Sequence, residues 1–242
     1  MSLSAYIAGA AGALLIGFSK TGIPGLGILI VPLVAIAFPV KETVGIVLPM
    51  LLLGDLFAVI RFRKNVEWKR IALLLPFVFA GMVPGFLILT GFESAVLQPL
   101  IGILILTLAT VELFRRIRGW KAFPDKWWFS ALFGALAGFA TAIAHAAGPV
   151  MGIYLLSRGL DKDRFMGTRA WFFFIVNLSK LPVLIPKGLI NTDTLALNLK
   201  AAPFIIIGVC IGFTILRRIP QKVFTFAVIA LAAAAALKMI LT

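Results

Sequence analysis

The chain has 242 residues, of which 62% are hydrophobic and 13% charged, with a mean hydropathy of +1.09. Polar surface on that scale cannot cover a water-soluble fold, so a soluble enzyme or nucleic-acid-binding domain is excluded and the chain belongs in a bilayer. The net charge of +14 does not argue for nucleic acid either, because most Lys and Arg fall in short joints between apolar runs, where they orient spans and meet anionic headgroups.

In chain order, the first element is a long apolar stretch, Leu3 to Phe38, interrupted at "SKTGIPGLG". Met1 to Phe18 lacks the basic n-region of a cleaved signal and reads as one arm of this stretch. Its arms are marginal for full crossings, so the stretch is expected to be a broken hairpin with both ends on one side of the membrane. Three ordinary helices follow, separated by the basic joint "RFRKNVEWKR" and by "TGFESA", which holds no Lys or Arg, and ended by the basic joint Arg115 to Lys126. A second interrupted stretch, Trp127 to Ser157, breaks near Gly148-Pro149 and precedes three more helices. Keeping basic joints inside places residues 61–70, 115–126 and the "SRGLDKDRFMGTR" joint in the cytoplasm, with residues 90–95 and both chain ends outside.

The halves carry a faint duplication. "PFVFAGMVPGF" (Pro76 to Phe86) matches "PFIIIGVCIGF" (Pro203 to Phe213) at one constant offset, pairing Gly81 with Gly208 and Gly85 with Gly212. The expected fold is therefore an all-α polytopic membrane protein built from two inverted-topology repeats, residues 1–120 and 121–242, each a broken hairpin plus three transmembrane helices.

The candidate site residues lie at the interruptions. Lys20 stands about midway along the first hairpin, where an uncompensated ammonium costs several kcal/mol. It either meets an anionic substrate, snorkels to a headgroup or pairs with a structural carboxylate. Beside it, Gly25 and Gly27 begin a second half-helix whose free amides favour an anion, and Ser19 and Thr21 add hydroxyl donors. Asn177 and Lys180 are three apart and share one face of an otherwise apolar helix. At the matching place in the first half stands Asp55, which either exchanges a proton during transport or serves as counter-ion to a lysine. His145, the single histidine, has an oxyanion-donating or titrating role on one reading and a helix-packing role, bonded to a carbonyl, on the other. Arg169 is a candidate gate, or else lies at the cytoplasmic boundary. The four-residue glycine pairs allow close helix approach and say nothing about substrate.

With one histidine and one cysteine, Cys210, the chain offers neither a disulfide nor a typical metal site, and no cofactor is implied. An intramembrane enzyme would need a nucleophile with a base, or a carboxylate cluster with metal, and with one histidine and few intramembrane acids it is the weaker alternative. An anion channel remains as the alternative to a carrier, since the same cationic lining would serve it.

As a set, "GFSKTGIPGLGILIVPLVA", "LPMLLLGDLFAVIRFRKNVEWKRIALLLP" and "GTRAWFFFIVNLSKLPVL" resemble the sulfite exporter TauE/SafE family of membrane transporters. The first two look like its first-half signature, with a Gly-Asp pair in a span, and the third like its Asn-x-x-Lys helix. "HAAGPVMG" departs from the more glycine-rich second hairpin of many relatives. The resemblance implies a multi-pass protein of the inner membrane that transports small anions such as sulfite or sulfonates, with a small anion and the lipid bilayer as its partners.

Overall fold

A computed structural model describes residues 3–20, 26–118, 126–214 and 221–241. These form helices α1 (Leu3–Lys20), α2 (Gly27–Val34), α3 (Val40–Phe62), α4 (Trp68–Gly91), α5 (Ser94–Arg118), α6 (Trp127–Ala144), α7 (Gly148–Ser157), α8 (Lys162–Leu178), α9 (Leu181–Leu184), α10 (Thr192–Thr214) and α11 (Gln221–Leu241). The described residues contain no strand. The protein is all-α, and α3, α4, α5, α6 and α10 are long and apolar enough to cross a membrane. Val83, Leu87, Ile103 and Leu199 are more than half exposed, which suits side chains that face acyl chains instead of water.

The interruptions have local causes. The last turn of α6 closes with the His145 and Ala146 amides donating to the carbonyls of Thr141 and Ala140, and His145 itself takes the left-handed conformation, φ 51°. Pro149 then opens α7, where a missing amide hydrogen is no loss. The stretch "WFFFIVNLSKLPVLIP" also differs from an uninterrupted span: α8 stops at Leu178, and Pro182 sits in the first turn of the short α9. Proline cannot continue the hydrogen-bond ladder of α8, so Lys180 falls at the junction. The arm α6, expected to be marginal, has 18 residues and spanning length.

Packing follows a recurring scheme. The largest contacts join α4 to α6, α1 to α10, α5 to α11 and α3 to α8. Glycines set the closest of them. On α6, Gly138 lies against the carbonyl of Val78 and the amide of Met82, three before and one after Gly81. On α1, Gly17 lies against the carbonyl of Ile205 and the amide of Val209, three before and one after Gly208. A side chain at any of these glycines would run into backbone of the facing helix.

The α3–α8 contact is antiparallel. Gly167 on α8 meets the carbonyls of Phe62 and Asn65, Asp55 meets Asn177 midway, and Gly45 meets the carbonyl of Leu189. Basic residues crowd one end of the molecule: Arg61, Arg63, Lys64, Lys69 and Arg70 in and beside the α3–α4 joint, and Arg164 at the start of α8. At the opposite end, Lys41 Nζ ties α3 to α4 by donating to the carbonyls of Thr90 at 3.1 Å and Phe92 at 3.2 Å.

Candidate functional site

Lys20 is the last residue of α1, and its side chain lies along α3. Gly54 makes the room: a Cβ there would stand 3.2 Å from Lys20 Cγ and 3.0 Å from Ile16 Cγ2. The next residue, Asp55, receives the ammonium, with Lys20 Nζ donating to Oδ1 at 2.5 Å and lying 5.3 Å from the centre of the Phe173 ring. The Gly-Asp pair therefore acts as one unit, space followed by counter-charge.

The other oxygen of Asp55 accepts from Asn177 Nδ2 at 2.6 Å. That bond orients the amide, whose Oδ1 accepts from Lys180 Nζ at 2.9 Å. Lys180 also donates to Thr141 Oγ1 at 2.7 Å and contacts His145 Nδ1 at 2.8 Å. His145 Nε2 lies 2.9 Å from the carbonyl of Val44, which only accepts, so the Nε2 proton is present and Nδ1 of the neutral ring accepts from Lys180. One continuous chain of contacts thus runs Lys20, Asp55, Asn177, Lys180, His145, Val44. It joins α1, α3 and α8 to the turn between α6 and α7.

Burial makes this arrangement consequential. Asp55 and Lys180 are fully buried and Asn177 and His145 nearly so. A charge removed from water is tolerated only where its hydrogen-bonding capacity is met. Lys180 has three N–H groups and three acceptors, none of them a carboxylate, whereas Asp55 spends its charge on Lys20. Lys20, Asp55 and Arg169 line a cleft of about 20 Å³ with Ser19, Met166 and Phe173, space for about one water. Arg169 is buried, with its guanidinium carbon 5.6 Å from the Phe173 ring centre, and so faces inward from α8.

The sequence candidates therefore divide in two. Ser19, Lys20, Asp55 and Arg169 border the cleft, although the Ser19 hydroxyl donates to the Ile16 carbonyl at 2.8 Å and is not free for a ligand. Asn177, Lys180 and His145 form the layer behind. Gly27 begins α2 with open space where a side chain would project, and Thr21 and Gly25 lie outside the described residues. Thr141 and Phe173 were not among the sequence candidates, and Gly54 entered only through the Gly-Asp pair. Of these, Thr141 had a signal, since it stands one helical turn before His145.

Buried cations gathered where apolar helices of spanning length end or break are an arrangement that suits a membrane transporter. More particularly, the chain belongs to the sulfite exporter TauE/SafE family, whose model matches residues 9–239. No curated protein and no solved structure matches it.

Proposed function

We propose that the protein is a secondary transporter of the cytoplasmic membrane that exports a small sulfur-containing anion, of the sulfite or sulfonate type, by alternating access. The observation that carries this reading is the buried chain from Lys20 to His145, in which Lys20 pairs with the single carboxylate, Asp55, and Lys180 reaches it only through Asn177. Its surplus positive charge suits an anion, and its depth suits a site reached from either face in turn. Asp55, with both oxygens taken by Asn177 and Lys20, acts as the counter-ion of Lys20 in this state.

Inverted repeats at residues 1–120 and 121–242 supply the alternation. Supporting them, the Gly17–Gly208 contact repeats the geometry of the Gly138–Gly81 contact. The 122-residue offset from Gly45 to Gly167 carries Asp55 onto Asn177, the residue it bonds. Helices equivalent under that offset, α3 and α8, run antiparallel, as a two-fold axis in the membrane plane requires. The correspondence expected from sequence set Asp55 opposite the face shared by Asn177 and Lys180, and this offset narrows it to Asn177. The positive-inside rule assigns the end with Arg61, Arg63, Lys64 and Arg164 to the cytoplasm.

A carrier is favoured over a channel by what separates the two openings. A vestibule of about 520 Å³ at the outer end is lined by Lys41, Glu42, Ile46, Asn191 and Leu197. Between it and the Lys20 cleft stands an apolar cluster that includes Ile16, Ile30, Ile46, Met50 and Leu197, all buried. Sulfite, thiosulfate, sulfoacetate and sulfate, radiolabelled and offered in turn to protein in liposomes, test the reading. Saturable flux with counterflow is expected for at least one, flux without saturation or counterflow would make the protein a channel, and no flux of any of the four would remove the assignment.

A further inference from the structure

The Lys180–His145 contact has a property that the Lys20–Asp55 pair lacks: its geometry is compatible with two positions of one proton. With an ammonium, Lys180 donates to Thr141, Asn177 and His145 Nδ1. With a neutral amine, it still donates to Thr141 and Asn177, and its lone pair accepts from a protonated Nδ1. No heavy atom need move between these states. In both, the Val44 carbonyl accepts from Nε2. The pair as found is built to hold one shared proton.

A second proton changes this. Both Nζ and Nδ1 would then be donors, both charged, facing each other at 2.8 Å with nothing between them to accept. As the two nitrogens part to about 5 Å, an oxyanion oxygen that enters between them accepts from both and cancels the repulsion, while Thr141 and Asn177 stay as acceptors for the other two donors of Lys180. We infer that anion and proton bind together at the Lys180–His145 contact, so that the protein is a proton-coupled anion carrier in which this pair, and not Asp55, bears the transported proton. The inference rests on the transporter reading above. The proton is taken from water on the side where the anion enters and returned to water where it leaves, and no covalent bond to the anion forms.

The surroundings agree. The charged groups whose fields reach the pair are Lys20 on α1 and Asp55 on α3. Arg169 on α8 is instead under the influence of Asp55 and of Glu112, a buried residue of α5. Helices α6 and α7, and the short α2 and α9, contain no charged residue. His145 also occupies a left-handed position, φ 51°, where glycine is the default and any other residue carries some strain. The imidazole in that position is tied at both nitrogens.

The chain has one histidine, so nitrogen-labelled histidine gives a single imidazole signal from the full protein in nanodiscs. Without anion the neutral ring with its proton on Nε2 is expected. Added thiosulfate, whose own charge is constant near neutral pH, should convert it to imidazolium, and thiosulfate affinity should fall about tenfold per unit rise in pH while one proton is taken up per anion. In voltage-clamped liposomes, thiosulfate flux by the wild type should carry protons. His145→Asn puts an amide oxygen where Nδ1 was, tolerates the left-handed backbone and cannot take a proton; it should bind thiosulfate more weakly, and the binding and flux that remain should show neither the pH dependence nor the proton flux of the wild type. Should the Asn variant fail to fold, His145→Gln in the same assays decides. A ring that stays neutral with thiosulfate bound, or proton flux undiminished in the variants, overturns the coupling role and leaves the transporter reading standing. No binding or flux of thiosulfate, sulfite or sulfoacetate removes both.

Discussion

The two ends of the α3–α8 contact are built alike and finished differently. At the basic end, proposed above to be cytoplasmic, Gly167 packs on the carbonyl of Asn65, and at the opposite end, proposed to be outer, Gly45 packs on the carbonyl of Leu189. The cytoplasmic end is then bridged: Arg164 Nη1 donates to Glu67 Oε1 at 2.8 Å, and the Glu67 amide donates to Thr168 Oγ1 at 2.9 Å. Arg164 lies 122 residues after Glu42, the offset from Gly45 to Gly167, and Glu67, the residue preceding α4, is matched by position to Asn191, the residue preceding α10. Glu42 and Asn191 cannot form an ion pair, and both line the outer vestibule. One geometry in two copies is thus latched on one side and open on the other. The difference teaches that asymmetry between near-identical seams resides in a few polar side chains at the rim, while the glycine contacts beneath are common to both.

The largest effect is expected between the seams. Lys20→Ala leaves Asp55 buried without its cation and removes the positive group of the cleft, so anion affinity should fall by an amount on the order of 2–5 kcal/mol, read by calorimetric titration with whichever anion the liposome panel identifies. Lys20→Arg should recover only part of this, since a planar guanidinium does not fit the slot beside Gly54. Unchanged affinity in Lys20→Ala would take the residue off the pathway and leave the two seams with no shared site to expose.

Next come the glycines common to both seams. In Gly45→Ala and Gly167→Ala the added methyl would enter the Leu189 or Asn65 carbonyl, so the backbone must shift. Each substitution should lower stability by about 1–3 kcal/mol, seen as a drop in the thermal unfolding midpoint in detergent. Comparable drops would sharpen the equivalence of the two ends, and a drop at one end alone would break it.

Much of this was legible in the sequence, and the remainder was hidden for identifiable reasons. Interruption of the first hairpin beside Lys20, the isolated Asp55 and the Asn177/Lys180 face all stood out because polar groups are conspicuous in apolar runs. Their connections did not. Asp55 bonds Lys20 and Asn177 across 35 and 122 residues, separations that no helical period relates. Occupation of the Ser19 hydroxyl by its own helix was likewise invisible, because serine in an apolar helix either back-bonds or faces a ligand with the same spelling. The break at Lys180 was written in Pro182, but the surrounding apolar run outweighed it.

A smaller effect is expected at the latch itself. Glu67→Gln keeps the shape and removes the charge that Arg164 meets, and both side chains are partly exposed. Such a pair is worth roughly 0.2–1 kcal/mol, so opening of the cytoplasmic side should become about 1.5- to 5-fold more favourable. With Cys210→Ala as background, labelling of Met166→Cys in the cleft by a thiol reagent offered from the cytoplasmic face should quicken by that factor. High salt should bring the parent protein toward the variant, because an exposed pair is screened. An unaltered rate would mean that the bridge is decoration on a seam closed by packing alone.

The smallest effect, and the sharpest test of the comparison, comes from writing the latch into the open end. Glu42→Arg combined with Asn191→Asp places at the outer rim the charge pair that the cytoplasmic rim already has. Aspartate is chosen because Asn191 Oδ1 accepts from the Thr194 amide at 3.0 Å at the start of α10, a cap that a carboxylate serves equally well. Arginine in the first turn of α3 gives up a favourable interaction of Glu42 with the helix dipole, which offsets part of the gain. The net bias toward a closed outer seam should therefore lie near the low end of about 0.2–1 kcal/mol. Ser94 lines the vestibule, so labelling of Ser94→Cys by a membrane-impermeant reagent in the Cys210→Ala background reports the state of the seam. The double substitution should slow that labelling by up to about 2-fold at low salt and not at all at high salt, whereas Asn191→Asp alone should leave it unchanged. Slowing that persists at high salt would come from a distorted rim and not from a new ion pair, and the claim that polar rim residues alone distinguish the two ends would fail.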